Sequence, residues 1–305
     1  MLKDLGSLSG ADVHAQLGKL GEREGYYRRL GDTHSVLFMD RGPTLVVTFE
    51  TSRAIARQKM GGATFGQSIA EPRNWSHLCL IADTESWYRA PEVYEYFDEL
   101  VDEAFFEEYD QVVFYGSGMA AYAAAAYSVA APGATVILIQ PQATLDPTVA
   151  GWDPRFSEYR RLCFTDRYGF APDMTEGAGQ VFVFYDPEQS LDAMHAALFK
   201  RPFTTLLPCR HLGADLAGDL QAMHILPSVL SAAATGTFDA GLFWTFFRAR
   251  RNHLPYLKRL LRRLESDGRP GLGAILARNT GQRLNDPQYL TRADELSRQI
   301  EDALR

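Results

Sequence analysis

The residues whose types and spacing bear on chemistry centre on one stretch, Val112-Val113-Phe114-Tyr115-Gly116-Ser117-Gly118-Met119-Ala120-Ala121-Tyr122. A short apolar run ends in Gly-Ser-Gly and passes at once into an alanine-rich run, Met119 to Ala131. The pattern reads as a strand, a tight turn and a helix packed close to its sheet, with Gly116 and Gly118 able to take positive φ. Acyl transfer at such a turn needs a hydroxyl, a base to take its proton and an acid to orient the base. Gly118 offers no atom to attack with. Ser117 carries the only hydroxyl in the turn.

A second chemistry fits the same glycines. Gly116-x-Gly118-x-x-Ala121 matches the dinucleotide fingerprint, which also follows a strand and opens a helix. Two features oppose it. The first strand of that unit would begin about 110 residues into the chain, and the position about 20 residues on is Gln140 rather than an acid. No cofactor is therefore expected.

These residues must be positioned by a series of short elements. Residues 7 to 30 carry a helical signal, with Ser9 and Asp12 fitting an N-cap and Val13, Leu17 and Leu20 on one face. Two β-like runs, 35–39 and 44–49, flank Asp40-Arg41-Gly42-Pro43 and read as a hairpin. Residues 50 to 76, with Gly61-Gly62, show no clean period. Strands are expected at 77–82, 112–115, 134–140, 180–185 and 204–207, with helices at 91–106, 119–131 and 190–199. Such alternation argues for an α/β fold, a mainly parallel sheet with helices on both faces. The segment 141–177 is longer than packing needs and is expected to cap or bind. Past residue 212 the pattern is helical, with candidates at 212–224, 226–235, 239–249, 253–266 and 286–304, and a break at Gly268-Arg269-Pro270-Gly271. The division expected is a core of residues 1–225 and a C-terminal helical extension of 226–305.

With these elements in place, the chain resembles the α/β-hydrolase superfamily over roughly residues 35 to 225. Around the turn it is similar to bacterial members that read G-S-S-M-G-G-Y-A-A. Set on the family's G-x-S-x-G nucleophile elbow, Gly116 is the first glycine, Gly118 falls where the Ser belongs and Ala120 replaces the last glycine. The family orders its triad nucleophile, acid, His, each after a later strand. The resemblance therefore implies Asp186, after strand 180–185, as the acid and His211, after strand 204–207, as the base. Ser117 is a weak substitute nucleophile, because a one-residue shift at a sharp turn aims its side chain elsewhere. The oxyanion donors would be Met119 and a residue near Glu50 or Thr51. An ionised Glu50 facing that spot would repel a developing oxyanion. The function implied is a degenerate hydrolase that lacks the nucleophilic Ser and binds a small ligand or partner. The alternatives are an acyl esterase or transferase that activates water or substrate through His211 and Asp186, and dinucleotide binding.

Other residues compete for a role. His195 is a second candidate base, while His77 at a strand start reads as structural. Trp87-Tyr88-Arg89 follows a strand on the edge where α/β sheets bind ligands. Arg155, Arg160, Arg161 and Arg167 lie with Trp152 in the long loop, and a basic run surrounds Leu254, Leu257, Leu261 and Leu264. That leucine stripe makes the C-terminal helices a candidate surface for a homo-oligomer or protein partner.

Composition bounds the rest. The chain has 305 residues, 46% apolar and 23% charged, with a net charge of −7. An acidic balance gives no reason to expect nucleic acid or an anionic membrane surface. No apolar run approaches the roughly 18 residues of a membrane span. Cys79, Cys163 and Cys209 lack metal-ligand spacing and read as thiols of a reducing compartment, so no metal is expected and the location expected is cytoplasmic.

Overall fold

The computed structural model describes residues 10–57 and 63–303. Among them, eight strands form one sheet: β1 (Gly25–Leu30), β2 (His34–Met39), β3 (Thr44–Thr51), β4 (Ser76–Ala82), β5 (Gln111–Ser117), β6 (Thr135–Ile139), β7 (Gln180–Tyr185) and β8 (Thr204–Pro208). Their spatial order is β1-β2-β4-β3-β5-β6-β7-β8. Only β2 runs against the rest; β4, β3, β5, β6, β7 and β8 are all parallel. Every residue of β2, β4 and β6 is buried, as near-continuous apolar strands covered on both faces should be.

The early helices are α1 (Gly10–Glu24), α2 (Ser52–Arg57), α3 (Phe65–Ala70), α4 (Pro91–Asp102) and α5 (Met119–Tyr127). The long segment contributes α6 (Pro147–Ala150) and α7 (Ala171–Met174), and α8 (Ser190–Leu198) follows β7. The chain then runs through α9 (Leu216–Ala222), α10 (Ile225–Ala234), α11 (Ala240–Phe246), α12 (Leu254–Ser266), α13 (Pro270–Leu284) and α14 (Pro287–Ala303). Side chains alternate across β5, so Phe114 joins the core under α4 and α5 while Val113 and Tyr115 join the core on the other face. Helix α5 is almost wholly alanine on its buried side, which lets its backbone approach the sheet closely.

Three expectations change. The 35–39 and 44–49 runs do not form a hairpin: β4 lies between them, antiparallel to β2 (Val36 opposite Leu80) and parallel to β3 (Val47 opposite Leu78). The Ser76 hydroxyl holds the 40–43 connection against the start of β4, accepting from the N–H groups of Arg41 at 2.9 Å and Gly42 at 3.1 Å. The helical signal over 7–30 covers α1 only, and 25–30 is the edge strand β1. Gly25 marks the change, since a Cβ there would lie 2.2 Å from the Phe38 carbonyl oxygen. Third, the break at 268–271 leads into a further helix, α13, which Pro270 opens at its first turn. The Ser9 cap and Gly61-Gly62 lie outside the described residues.

Helices α9 to α11 cover the sheet face of β5, β6, β7 and β8. Leu226, Val229, Leu230, Phe238, Phe243 and Phe247 share one apolar cluster with Val113, Ile137, Phe182 and Leu207. The boundary expected at 225/226 thus falls inside a packed layer, against which Tyr256 of α12 also packs. No helix among the described residues is long and apolar enough to cross a membrane.

Candidate functional site

The C-terminal ends of β3, β5, β6, β7 and β8 bring the candidate residues to one edge of the sheet, where open α/β sheets hold their ligands. At the centre β5 turns sharply into α5. Gly118 has φ 58° and ψ −124°, a region that costs a residue with a Cβ about 1–3 kcal/mol. Its N–H donates to the Ile139 carbonyl at 2.9 Å, and its own carbonyl accepts from Ala121 at 2.9 Å and Tyr122 at 3.1 Å. A Cβ built on Gly118 meets nothing within 4 Å, whereas one on Gly116 would lie 2.1 Å from the Ala120 carbonyl oxygen. Gly116 is required by close approach, Gly118 by its dihedral angles.

This turn sits at the end of a central parallel strand, in a sheet whose second strand alone is reversed and whose third and fourth strands exchange places. The fold is that of the α/β-hydrolases. The dinucleotide reading is not carried by this topology, because those sheets run 3-2-1-4-5-6 from a first strand that bears the glycines.

No protein-family model matches the sequence, and no curated protein matches it. Similar solved structures include a glycosylation-associated protein complex from Streptococcus agalactiae, at 13% identity and TM-score 0.45, covering 66% of this chain and 44% of that one. The chain thus spans under half the length of that neighbour. An esterase from Pyrobaculum calidifontis matches at 13% identity and TM-score 0.44, covering 76% and 94% of the two chains. The capsule O-acetyltransferase of Neisseria meningitidis serogroup A matches at 13% and 0.41, covering 66% and 93%. The assignment of fold rests on strand order and register.

Two cavities meet at Gly118. The larger, about 450 Å³, is walled by Glu50, Thr51, Phe65, Trp87, Tyr88, Met119 and Phe156. It therefore collects every residue that the resemblance placed around an oxyanion site. Met119 and Ala120 open α5 on this wall, and first-turn N–H groups of a helix lack intrahelical partners. Glu50 is not a bare charge here. Its carboxylate accepts from the N–H groups of Phe65 at 2.8 Å and Gly66 at 3.0 Å, at the start of α3, and from the Thr48 hydroxyl at 3.3 Å. Burial raises its pKa while the Gly66 and Phe65 bonds oppose that rise.

Trp87 and Tyr88 are walls, not exposed platforms. Both are essentially fully buried and both hold φ of 55°. Tyr88 donates to the Glu50 carbonyl at 2.8 Å, and Trp87 sits among Tyr122, Phe156 and Phe164. Arg89 donates to the carbonyls of Cys163 at 2.8 Å and Arg167 at 2.7 Å, so this segment clamps the long loop over the site.

The expected acid–base pair is not assembled. Asp186 spends its carboxylate on backbone, accepting from Glu188 N–H at 2.9 Å and Gly213 N–H at 2.7 Å. His211 is paired through Nδ1 with Glu188 at 3.0 Å, its φ is 66°, and it lines neither cavity at Gly118. The physical cause lies in the turn after β8. Asp186 pins Gly213, and Arg259 of α12 donates to the His211 carbonyl at 2.7 Å, which holds the imidazole beside Glu188 and Tyr256. Ser117 does border both cavities.

The second cavity, about 240 Å³, joins Arg155 of the loop arginines to residues the sequence did not single out. Gln140, Gln142, Arg155, Gln189, Asp192 and Asp215 surround Ser117 and Gly118, with Phe156 between the two spaces. Arg155 comes from the long loop and bridges two buried carboxylates, Asp153 at 2.7 Å and Asp192 at 2.6 Å. Gln140 donates to Asp192 at 2.7 Å and accepts from Leu216 N–H at 3.1 Å. Arg160 and Arg167 are occupied by loop carbonyls and by Asp98. Asp192 could have been suspected only from its place in the first turn of the helix after β7.

His195 lies beneath this wall, fully buried. Its Nδ1 accepts from Ala143 N–H at 3.1 Å, Nε2 faces Asp153 at 3.1 Å, and the Trp152 ring covers it at 4.5 Å. It staples the loop and cannot reach a ligand. Burial lowers the pKa of His195 despite Asp153, and burial lowers that of His34. An unfolded histidine takes up a proton near about 6.5, whereas these two do so only at lower pH. Their stabilisation is full above about 6.5 and is lost as pH falls below it. The urea midpoint is expected to drop between about pH 7 and 5; a flat profile there would contradict the buried neutral state.

Proposed function

We propose that this chain is an α/β-hydrolase-fold protein that holds a small, hydroxyl-rich ligand beside Gly118 and forms no acyl-enzyme at the elbow. The observation that carries this reading is Gly118 itself, at the strained position where the fold presents its nucleophile and without a hydroxyl. The adjoining cavity supports the binding half. Three glutamine amides, two carboxylates and a guanidinium converge on it next to the Phe156 ring. Amides and carboxylates in that mixture pair with several hydroxyls at once, as donors and acceptors.

Labelling with a fluorophosphonate serine-hydrolase probe tests the reading. The wild-type chain is expected to remain unlabelled. Gly118→Ser has room for its side chain, yet it should gain no turnover of short acyl esters, because His211 is held by Glu188. Ligand screening by thermal shift should yield hits that Asp192→Asn weakens. Ester turnover by the wild type that disappears in His211→Ala would replace this reading with a water-activating esterase or transferase.

A further inference from the structure

Three side chains of different chemistry meet in the layer between the sheet and α3. Parallel pairing sets Thr48 of β3 opposite Cys79 of β4, and the two-residue period of strands places Glu50 and His77 on that same face. The ligand atoms of Glu50, His77 and Cys79 all lie within 4.8 Å of one another. The Thr48 hydroxyl is 2.8 Å from His77 Nε2. His77 and Cys79 are fully buried, and Cys79 belongs to a cluster otherwise made of Val13, Leu17, Leu37, Met39, Ile55 and Ile81. An apolar core has no use for a carboxylate, an imidazole and a thiol gathered at one point.

From this juxtaposition we infer that Glu50, His77 and Cys79 form a binding site for a divalent zinc-like cation. A tetrahedral zinc sets its ligand atoms roughly 3.3–3.7 Å apart, so the cluster has to contract by about one ångström. Thr48 Oγ1, or a water from the adjoining cavity, supplies the fourth position.

The chemistry balances without a redox partner. Binding breaks the Cys79 S–H bond, forms a metal–thiolate bond and sends the proton to solvent. His77 gives a neutral lone pair and Glu50 its carboxylate, so a cation of charge two meets two negative ligands and the buried cluster becomes neutral. Gly66 lets the start of α3 pack directly on the His77 ring: a Cβ there would lie 2.0 Å from His77 Nε2. Entry is through the larger cavity, which Glu50 and Phe65 line.

Cobalt(II) is the probe. Titrated into chelator-treated full-length chain, it is expected to produce the visible bands of a tetrahedral ion and a near-ultraviolet thiolate charge-transfer band, saturating at one ion per chain. Zinc should displace it and raise the melting temperature. Cys163→Ser should keep the charge-transfer band and Cys79→Ser should lose it, with His77→Gln weakening binding at least about tenfold. Circular dichroism identifies any variant that has not folded, and the wild-type titration stands independently of the variants. Absence of both bands in the folded wild-type chain, or their loss in Cys163→Ser, overturns the assignment.

Discussion

Gly116→Ala is expected to destabilise the chain by at least about 3 kcal/mol, while Gly118→Ala costs about 1–3 kcal/mol and leaves the fold intact. The two glycines are separated by one residue and do different work. A methyl at 116 would press on the Ala120 carbonyl and the Ala121 nitrogen, at 2.1 and 2.6 Å, which are backbone atoms at the start of α5. Relief requires α5 to slide away from the sheet, and with it the packing of Tyr122, Ala125 and Ala126. At 118 the methyl points into open space and only the dihedral strain is felt. Denaturant unfolding of the two variants checks this ordering. Equal losses would mean that α5 does not pack as closely as described.

The second large effect is expected at Asp153. This carboxylate accepts from Arg155 Nε and Nη2, from the Arg155 N–H, and faces His195. Burial acts to raise its pKa, but the Arg155 bonds outweigh it and hold Asp153 below its ordinary value. That stabilisation is present above the unfolded pKa of about 3.9 and is lost as pH falls through the folded one. Asp153→Ala is expected to cost about 1–3 kcal/mol, because it leaves the proton of a buried imidazole without its acceptor and Arg155 with Asp192 alone. Asp153→Asn keeps the shape and part of the bonding and should cost less. Urea unfolding of both, with thermal-shift titration of any ligand, separates loss of fold from loss of the cavity wall. A loss under about 1 kcal/mol for Asp153→Ala would show that the loop is held by Trp152 and Phe156 instead.

Several features of the site were legible from local pattern. The strand–turn–helix at 112–131 was readable because apolar period, two glycines and an alanine run coincide within twenty residues. The shared cavity wall was readable from resemblance, since Glu50, Thr51 and Met119 end or begin elements whose order is set by the fold. The pair Asp186 and His211 was not. Both sit where expected along the chain, but which partner each takes is decided within a five-residue turn by Gly213, Glu188 and a guanidinium from α12. No spacing rule reports such a choice.

The polar cleft was missed for a different reason. Arg155 stood out only as one of four loop arginines, and its partners Gln140 and Asp192 come from two other elements 52 residues apart, each reading as an ordinary polar side chain. Likewise the Glu50, His77 and Cys79 cluster has no sequence spacing to detect, because its members come from two strands made neighbours only by the sheet.

What the amino-acid sequence determined by itself is therefore local. It set the alternation of strands and helices and the sharp turn at Gly118, because those depend on dihedral preference, period and side-chain type within a few residues. The tertiary structure alone decided that β4 inserts between β2 and β3, that His211 turns to Glu188, and that a carboxylate, an imidazole and a thiol share one buried point. Each of these is a pairing between distant segments. Its outcome depends on register and on competing hydrogen-bond partners that come together only when the whole sheet has formed.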